Sequence, residues 1–436
     1  YLKVNNLTNK TSYTFVIETQ GCKLNQSDSL NITNTLLESG YLMSDTNKYA
    51  DIFILNSCTV THIADRKARN KIRNFKKHNP ESTIVATGCY AERSPDFLKS
   101  MEEVDLVISN KDKEQITTEI SKILNIDQEF IQPFPSNLIK NPKLKTRAMV
   151  KIQEGCDQIC SYCIVPIVRG REKSIPLKDI VNRINKLSSM GYKEIVLTGT
   201  QLGSYGFEFK NIKIINLLKT IISDTDIQRL RISSLQPQDL SSGLLELWEN
   251  PRLCPHIHIP LQSGNNNLLK QMRRRYTVEI FNQTIYLVRS KIHNVSITTD
   301  VIAGFPGEDD KSFQDTYDLC KKIKFSNMHI FPYSKRPKTS AAYFNNDTPS
   351  DIKSNRVKAL IDLNNNNKRL FEQSFDNSVR KVLWEESYIE NNKKYWTGLT
   401  DNYLKVKTVE NNNIRNKITK VKLNYIDNEL QGKIIS

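Results

Sequence analysis

Three cysteines lie within eight residues of the stretch KIQEGCDQICSYCIVPIVRG, which begins at Lys151. Cys156, Cys160 and Cys163 have the spacing CxxxCxxC, and the next cysteine along the chain is Cys254. Three thiolates can bind three irons of a [4Fe–4S] cube and leave the fourth iron open for catalysis. The alternatives are a zinc site with a remote fourth ligand, or three buried structural cysteines. The tight spacing favours a metal site over indifferent burial.

Three further cysteines have no regular spacing, but each directly follows a predicted strand. Cys22, Cys58 and Cys89 end the stretches VIETQGC, FILNSC and IVATGC. In a parallel sheet these loops would meet at one edge, where open α/β sheets bind their ligands. We therefore predict a second three-thiolate cluster site, with burial of three apolar cysteines in a core as the alternative. Cys254 and Cys320 fall outside both sets and are predicted to be structural.

The elements that would position these cysteines alternate between strand and helix. The first block has predicted strands at Tyr13–Thr19, Asp51–Ser57, Ser82–Gly88 and Val104–Asn110, with helices at 27–40 and 62–78. Apolar strands separated by helices indicate a doubly wound parallel sheet. A polar, proline-containing linker follows at 130–147.

The second block, from Ala148 to about Ser334, continues the alternation. Its six predicted strands are AMVKIQE, EIVLTGT, RLRISSL, HIHIPLQ, ITTDVIAGF and NMHIFPYS. Six such units indicate an open, partial (β/α)6 barrel, whose chemistry lies at the C-terminal ends of the strands. A helical connector at 350–374 leads to four β-rich runs, which predict a small all-β domain. The asparagine runs at 364–367 and 411–413 are predicted to be solvated turns.

Composition narrows the class of protein. No apolar run reaches the ~18 to 20 residues of a membrane span, and the polar N-terminal stretch lacks the apolar core of a secretory signal. Eight cysteines in 436 residues are too sparse for a secreted disulfide scaffold, so we expect a soluble, cytoplasmic protein with reduced thiols. The net charge of +16 raises the possibility of a polyanionic partner, with drift in a Lys- and Asn-rich composition as the alternative.

In this order, the motifs resemble the methylthiotransferase family of radical S-adenosylmethionine (SAM) enzymes. The resemblance implies that the amino and carboxylate groups of SAM chelate the open iron, and that electron transfer then gives a 5′-deoxyadenosyl radical. It also implies two [4Fe–4S] clusters and two uses of SAM. One SAM would methylate a sulfur on the auxiliary cluster, and the other would give the radical that removes the substrate hydrogen. No catalytic residue is predicted beyond the cluster ligands.

The resemblance covers nearly the whole chain and implies three domains. These are an N-terminal methylthiotransferase domain at 12–126, a radical SAM domain at 142–372, and an RNA-binding TRAM barrel at 376–436. Tyr162 occupies the aromatic position that commonly precedes the last cysteine of the motif. Gly199, Gln201, Ser233 and Gln262 follow strands and are the other predicted SAM contacts, although such polar rim residues can instead satisfy backbone groups.

Within the family, one branch modifies prenylated adenosine in tRNA, a second N6-threonylcarbamoyladenosine in tRNA, and a third an aspartate of a ribosomal protein. The stretches ETQGCKLNQSDS and NSCTVTHIADRKARNKIR are most similar to the second branch. That branch implies addition of a methylthio group at C2 of the base next to the anticodon, an electron donor, a sulfur source and no membrane. A cluster- or zinc-stabilised RNA-binding protein without catalysis is the alternative from another class.

Two regions are predicted to contact RNA. The first is a basic helix that carries Arg66, Lys67, Arg69, Lys71, Arg73, Lys76 and Lys77; a solvated basic face is the alternative. The second is the C-terminal domain, where Lys405, Lys407, Lys420 and Lys422 would meet phosphates and Tyr403 is one candidate for stacking on a base. The alternative is that this domain only packs on the barrel, with its aromatics in a small core. The loop FPYSKRPKTSA departs from the family's usual FPYSPRPGTPA at Lys335, Lys338 and Ser340.

Overall fold

The computed structural model describes residues 12–44, 49–126 and 146–435. Residues 12–126 together with Ile167–Gly170 form one compact unit, and 146–166 with 171–435 form a second. The polar N-terminal stretch and nearly all of the predicted linker lie outside the described residues. In the part of the chain that the structure describes, no helix combines the length and apolar character needed to cross a bilayer.

The first unit contains a five-stranded, entirely parallel sheet with strand order β2-β1-β3-β4-β5. The strands are β1 (Thr14–Thr19), β2 (Leu42–Met43), β3 (Ile52–Ser57), β4 (Thr83–Gly88) and β5 (Leu106–Val107). The two central strands, β3 and β4, are buried along their whole length. The strand predicted at Val104–Asn110 contains only two strand residues, and the sequence pattern did not reveal β2.

Helices pack on this sheet from two sides. They are α1 (Lys23–Glu38), α2 (His62–His78), α3 (Cys89–Arg93), α4 (Pro95–Lys99) and α5 (Ile116–Ile123). Because successive strand side chains point to opposite faces, β3 contributes to two cores. Phe53 stacks on Phe75 of α2 at 4.1 Å, whereas Ile54 belongs to the core that contains Ile32 of α1 and Ile120 of α5. The predicted helix 62–78 is confirmed.

The second unit begins with the predicted open barrel of parallel strands. Two three-stranded sheets, β10-β9-β6 and β11-β12-β13, are joined by the bridges Leu230↔Leu253 and Ser234↔His258. The barrel strands are β6 (Arg147–Lys151), β9 (Glu194–Thr198), β10 (Arg229–Ile232), β11 (His256–His258), β12 (Ser296–Ala303) and β13 (Asn327–Pro332), and a short hairpin is formed by β7 (Gln153–Glu154) and β8 (Lys173–Ser174). All six predicted strands are present, each shorter than or shifted slightly from its prediction.

Helices connect these strands. They are α6 (Val165–Arg169), α7 (Leu177–Ser189), α8 (Ile214–Asp224), α9 (Ser242–Leu245), α10 (Asn266–Gln271), α11 (Val278–Lys291), α12 (Asp310–Ile323) and α13 (Ser350–Gln373). The connector is therefore a single long helix.

The prediction that residues 364–367 form a solvated turn is wrong, because this asparagine run lies inside α13. The Asn364 side chain accepts a hydrogen bond from the Met328 backbone N–H at 2.7 Å and donates one to Asn327 at 3.1 Å. Asn367 is buried. The Asn364 amide thus satisfies polar groups where the helix packs against edge strand β13, a role that composition alone does not reveal. The second run, 411–413, is an exposed turn as predicted.

The C-terminal part is a closed five-stranded barrel with order β14-β15-β16-β18-β17. Its strands are β14 (Val379–Glu390), β15 (Lys393–Thr400), β16 (Lys405–Val409), β17 (Ile418–Ile426) and β18 (Glu429–Ile435). Trp384 and Trp396 lie in its core with Val406, Val421 and Leu423. The predicted mixed α/β architecture with an all-β C-terminal end is confirmed.

One prediction about this barrel is wrong: Tyr403 is not an exposed surface aromatic. Its ring stacks on His256 at 4.7 Å and lies under the guanidinium group of Arg231 at 4.4 Å. Its hydroxyl accepts a hydrogen bond from Arg147 at 3.1 Å. Tyr403 therefore joins the small barrel to the N-terminal ends of the large barrel's strands and is not available for stacking on RNA.

Candidate cluster-binding and cofactor-binding sites

The structure brings the three scattered cysteines together at one sheet edge. Cys22 caps the start of α1 just after β1, Cys58 follows β3 directly, and Cys89 begins α3 directly after β4. These three strands are neighbours and parallel, so their C-terminal ends meet. The Asn25 side-chain oxygen lies 3.7 Å from Cys22 Sγ and 4.0 Å from Cys89 Sγ.

The chemistry of Cys58 shows how close the three thiols are. Burial raises the pKa of Cys58 to about 12, and the proximity of Cys89 and Cys22 adds to this effect. Binding of a metal cation would stabilise the Cys58 thiolate against this effect of burial.

The backbone leaves no spare room beside Cys58. Gly21 has φ +114°, and a Cβ atom placed there would lie 2.5 Å from the Cβ of Cys58. Only glycine combines this backbone conformation with so close an approach. The loop geometry therefore presents the thiols from all three strands to the same space.

A buried charged group that no sequence pattern predicts lies beside this triplet. Arg169 donates hydrogen bonds to Cys89 Sγ at 3.3 Å, Asp28 at 2.7 Å and Asn25 at 2.5 Å. Asp28 also pairs with Lys113 at 2.8 Å, and all three charged side chains are at most 10% exposed. Two cations with one carboxylate leave a net positive environment, which suits a cluster held by three thiolates. The signal available in the sequence was a lone arginine after IVPIV, which has no distinctive spacing.

The other triplet lies on a single loop after β7. Ser161, at the middle of this loop, donates from its backbone N–H to the Met272 carbonyl at 3.1 Å and accepts from the Ala341 N–H at 2.7 Å. The loop is thus held by segments that follow β11 and β13. Burial raises the pKa of Cys163 to about 12, with a further contribution from the nearby Cys160.

Each set supplies three thiols to one space, which fits a [4Fe–4S] cluster with one open iron better than a closed four-ligand zinc site. In both sets an arginine contacts one sulfur. In the second set, Arg274 donates to Cys160 Sγ at 3.2 Å.

A chain of hydrogen bonds leads from the cysteine loop to the barrel rim. Arg274 donates to the Gln236 side-chain oxygen, and Gln236 donates to the side-chain oxygen of Gln201 at 3.3 Å. Gln201 in turn donates to Asp239 at 3.3 Å. Of these residues, only Gln201 was predicted; Gln236, Asp239 and Arg274 are polar groups in the stretches LQPQDL and MRRRYT, without a spacing that marks them.

Two family models match the chain. The model described as uncharacterized protein family UPF0004 matches residues 14–109, and that of the radical SAM superfamily matches residues 150–320.

Relatives match over most of the chain. The threonylcarbamoyladenosine tRNA methylthiotransferase MtaB of Bacillus subtilis (strain 168) is 35% identical over 425 residues, which cover 94% of this chain and 93% of the relative. The chain belongs to the radical SAM tRNA methylthiotransferases. A second relative, the tRNA-2-methylthio-N(6)-dimethylallyladenosine synthase of Endomicrobium trichonymphae, is 36% identical over 379 residues, which cover 85% of this chain and 88% of the relative.

A solved structure shares the fold of this methylthiotransferase. The radical SAM methyltransferase TsrM of Kitasatospora setae has a TM-score of 0.54 at 14% identity and covers 76% of this chain and 77% of its own. Membership of the radical SAM superfamily implies that the methylthiotransferase uses a [4Fe–4S] cluster and SAM.

The predicted SAM contacts lie at the barrel rim but differ in their hydrogen bonding, packing and backbone conformation. The Ser233 hydroxyl is buried and has no hydrogen-bond partner among the described residues, so its hydrogen-bonding capacity is unused. Gly199 is needed for packing, because a Cβ there would lie 2.8 Å from the Gln153 carbonyl. Gln262 is buried with φ +65°, and its backbone pairs with β12.

Tyr162 packs against the apolar cluster that contains Phe305, and its hydroxyl lies 3.5 Å from Arg274. Its ring therefore anchors the cysteine loop in this methylthiotransferase, and its contact with SAM stays a prediction.

Proposed function

We propose that this enzyme adds a methylthio group at C2 of N6-threonylcarbamoyladenosine next to the anticodon of tRNA. In this proposal Cys156, Cys160 and Cys163 hold the [4Fe–4S] cluster that cleaves SAM. Cys22, Cys58 and Cys89 hold a second [4Fe–4S] cluster that carries the sulfur. The observation that supports it is the meeting of three cysteines from three strands at one sheet edge, in addition to the three on one loop.

When bound, the clusters and SAM would supply the reducing electron, the radical and the methylated sulfur. The protein's own residues bind and orient the clusters and SAM. Arg274 places positive charge beside Cys160, and Arg169 does so beside Cys89. At the rim, the unpartnered Ser233 hydroxyl and the Gln201 side chain are the polar groups that would hold SAM, with Gly199 and Gln262 shaping the backbone around it.

The threonylcarbamoyladenosine substrate is supported by the stretch CTVTHIADRKAR and by the extent of the match to the Bacillus subtilis relative. The relative from Endomicrobium trichonymphae is equally similar over a shorter span, so prenylated adenosine in tRNA is the second candidate. A ribosomal-protein aspartate is the third, from the family resemblance alone.

Basic helix α2 supports an RNA partner. Arg66 and Arg69 of α2 line a cavity of about 550 Å³ with Arg93 and Phe97. Phe97 is 47% exposed, and the Arg69 guanidinium lies 5.6 Å from the centre of its ring. Cationic and flat apolar groups in one cavity suit a phosphate and a stacked base. Farther along α2, Lys71, Arg73 and Lys76 pair with acidic residues, so the N-terminal half of the helix is the better RNA contact.

We assign the C-terminal barrel at 376–436 to an RNA-binding TRAM domain, after domains at 12–126 and 142–372. Lys405, Lys420 and Lys422 are exposed, whereas Lys407 pairs with Glu429 at 3.3 Å. In place of Tyr403, we assign stacking on RNA bases to Tyr388 and Tyr395, whose ring centres are 5.5 Å apart.

Truncation after Asn377 tests this assignment. The barrel has 11 Lys and Arg against 8 Asp and Glu, so it contributes only part of the electrostatic attraction. Loss of two or three phosphate contacts should lower the slope of log affinity against log salt by roughly 2 to 3. Unchanged tRNA affinity in a folded, cluster-replete truncation would assign recognition to the rest of the chain.

Mass spectrometry of tRNA nucleosides, with and without the gene, tests the function itself. The deletion strain should lose 2-methylthio-N6-threonylcarbamoyladenosine and regain it on complementation. Loss of the methylthio derivative of the prenylated nucleoside would select the second candidate, and intact tRNA with an altered ribosomal protein would select the third. We place the enzyme in the cytoplasm, with a separate electron donor and sulfur source as partners.

A further inference from the structure

Three polar side chains form a compact group on neighbouring strands of the large barrel. Asp300 of β12 lies between His258 of β11 and His329 of β13. Its two carboxylate oxygens are 3.2 Å from Nε2 of His258 and 3.1 Å from Nδ1 of His329. The two imidazole rings stack at 5.4 Å. We call this group the His–Asp–His triad.

Hydrogen bonding determines which ring nitrogens carry protons. Burial opposes ionisation of Asp300, but the hydrogen bonds from His258 and His329 outweigh it and hold the Asp300 pKa well below its usual range. An ionised carboxylate only accepts hydrogen bonds, so both facing nitrogens are N–H groups. Nδ1 of His258 then accepts from Thr298, whose oxygen lies 2.9 Å away.

This arrangement leaves one ring nitrogen of the triad available. Nε2 of His329 has no hydrogen-bond partner among the described residues, and the His329 side chain is 52% exposed. Asp300 and His258 are thus positioning residues, which fix the ring that presents this nitrogen.

The triad faces the same side of the sheet as the cysteine loop. Side chains two residues apart on a strand share a face, so Asp300 shares one with Ile302 and His329 shares one with Phe331 and Tyr333. Ile302 and Tyr333 belong to the apolar cluster against which Tyr162 of the cysteine loop packs. Along a strand, two residues span about 6.6 Å. The triad therefore lies one layer below the residues that hold this loop.

Phe331 completes the surface. It is 39% exposed and lies on the same face as His329, two residues closer to the rim. A flat apolar ring beside a polar nitrogen that is fixed in position suits a planar heteroaromatic ring with a polar edge. The carboxylate of Asp300 makes the same surface unsuitable for a phosphate group.

We propose that His329 and Phe331 bind the purine base of the tRNA substrate inside the barrel, His329 through Nε2 to a polar atom on the base edge and Phe331 against its face. The inference rests on the proposed function in that it takes a nucleobase as the substrate. It adds the residues that orient this base.

Two substitutions of His329 separate a substrate contact from a structural role. The side-chain amide of His329→Gln can take the place of Nε2, whereas that of His329→Asn can take the place of Nδ1 and keep the contact with Asp300. The full-length, cluster-replete enzyme is assayed anaerobically at saturating tRNA for methylthio product and for 5′-deoxyadenosine. We expect His329→Gln to keep product within about threefold of wild type. For His329→Asn we expect about a tenfold loss of product with 5′-deoxyadenosine still formed, because one hydrogen bond to the base is lost.

Substitutions of Phe331 give a second, independent test of the proposal. Phe331→Ala should lower product about tenfold, and Phe331→Trp should restore most of it, because stacking tolerates a different ring. The exposed His293→Gln serves as the matched control and should leave both products unchanged.

The outcomes are distinguishable from failure of the proposed function. If the wild-type enzyme modifies prenylated adenosine instead, the proposed substrate is wrong. The methylthio product of the variants is then compared on the tRNA that carries prenylated adenosine. Equal product from His329→Asn and His329→Gln, or loss of iron in both, would overturn the inference. Stoichiometric binding of added Zn²⁺ or Mn²⁺ that Asp300→Asn abolishes would also overturn it, because the triad would then be a metal site.

Discussion

The two cysteine triplets differ in how the chain brings their thiols together. Cys156, Cys160 and Cys163 lie on one loop, so their proximity follows from short separations along the chain. Cys22, Cys58 and Cys89 follow three different strands and meet only because β1 and β4 flank β3 in one parallel sheet. The first site depends on the hydrogen bonds that hold one loop, and the second depends on the register of a whole sheet. Damage to the sheet should therefore affect the two sites unequally.

The charged surroundings of the triplets also differ. Arg169 is held by the carboxylate of Asp28, which a second cation, Lys113, shares. Arg274 is held by Gln236, and its guanidinium lies 4.9 Å from the ring centre of Tyr276. Both arginines contact a sulfur, but only the first belongs to a buried ion-pair network. Removal of Arg169 would take one partner from this buried network, which is destabilising.

Breaking the local triplet should have the largest effect. In the variant with Cys156, Cys160 and Cys163 replaced by Ala, SAM cleavage should fall to background, because no iron remains to bind SAM. Iron should fall from about eight per chain to about four. Iron analysis and anaerobic 5′-deoxyadenosine assays measure both. Tightly bound zinc without iron in the wild-type protein would contradict the assignment of both sites.

Replacement of the three cysteines at the sheet edge should separate SAM cleavage from methylthio transfer. With Cys22, Cys58 and Cys89 replaced by Ala, the chain should keep about four irons and form 5′-deoxyadenosine within a few-fold of wild type. No methylthio product should form, since no sulfur is held for transfer. Normal methylthiolation by this variant would rule out a second cluster at this sheet edge.

Substitution of the buried Arg169 tests whether the Cys22–Cys58–Cys89 site needs a positive charge beside it. Arg169→Met should lower methylthio product by about 10- to 100-fold, the usual range for groups that support metal ligands. The electron paramagnetic resonance signal of the reduced Cys22–Cys58–Cys89 cluster should change. Arg171→Met, two residues away and 80% exposed, is the matched control. Equal effects of the two substitutions would show that the contact with Cys89 has no role.

The addition of one methyl group at Gly21 tests how far the Cys22–Cys58–Cys89 site depends on backbone conformation. Gly21→Ala should destabilise the N-terminal unit by about 1–3 kcal/mol, because of its positive φ and its approach to Cys58. Iron at the Cys22–Cys58–Cys89 site should be lost before iron at the loop site. Gly243→Ala, a position in α9 with no neighbour within 4 Å, should be neutral or slightly stabilising. Thermal unfolding with iron analysis at each temperature distinguishes the two variants.

The smallest expected effect lies in the loop that holds Ser161. Lys338 has φ +68° at the position where the family pattern has glycine. Lys338→Gly should therefore raise the free energy of unfolding by up to about 1 kcal/mol. Asn377→Gly, at φ +61°, should gain less, because asparagine tolerates the left-handed conformation. Denaturant unfolding of the two variants measures this, and a destabilised Lys338→Gly would contradict it.

Much of the fold followed from hydrophobic patterning. Strands Thr14–Thr19, Ile52–Ser57 and Thr83–Gly88 and helix His62–His78 lie within a residue or so of their predicted positions. Each is a long apolar or strongly amphipathic segment, for which periodicity is informative. The pattern failed for short elements such as Leu42–Met43, whose pairing with β1 depends on tertiary contacts rather than on local sequence.

The predictions about polar residues were less successful. Their polar composition predicts a turn for the asparagines at 364–367, yet they lie in a helix and Asn364 hydrogen-bonds to edge strand β13. An aromatic residue in this domain predicts a contact with RNA for Tyr403, yet His256 and Arg231 cover its ring. In both cases the environment that decides the role comes from residues distant in sequence.

The sequence by itself identified the two candidate sets of thiol ligands, because cysteine spacing and position after strands can be read without coordinates. It also determined the order of strands and helices, through the period of the apolar residues. Only the tertiary structure decided which charges accompany each cysteine set, and only it revealed the His–Asp–His triad. Arg169 reaches Asp28 and Cys89, and Asp300 reaches His258 and His329, across separations along the chain that no local pattern encodes. Thiol ligands are recognised by residue type, whereas a buried charge or a shared proton is determined by the neighbours that folding supplies.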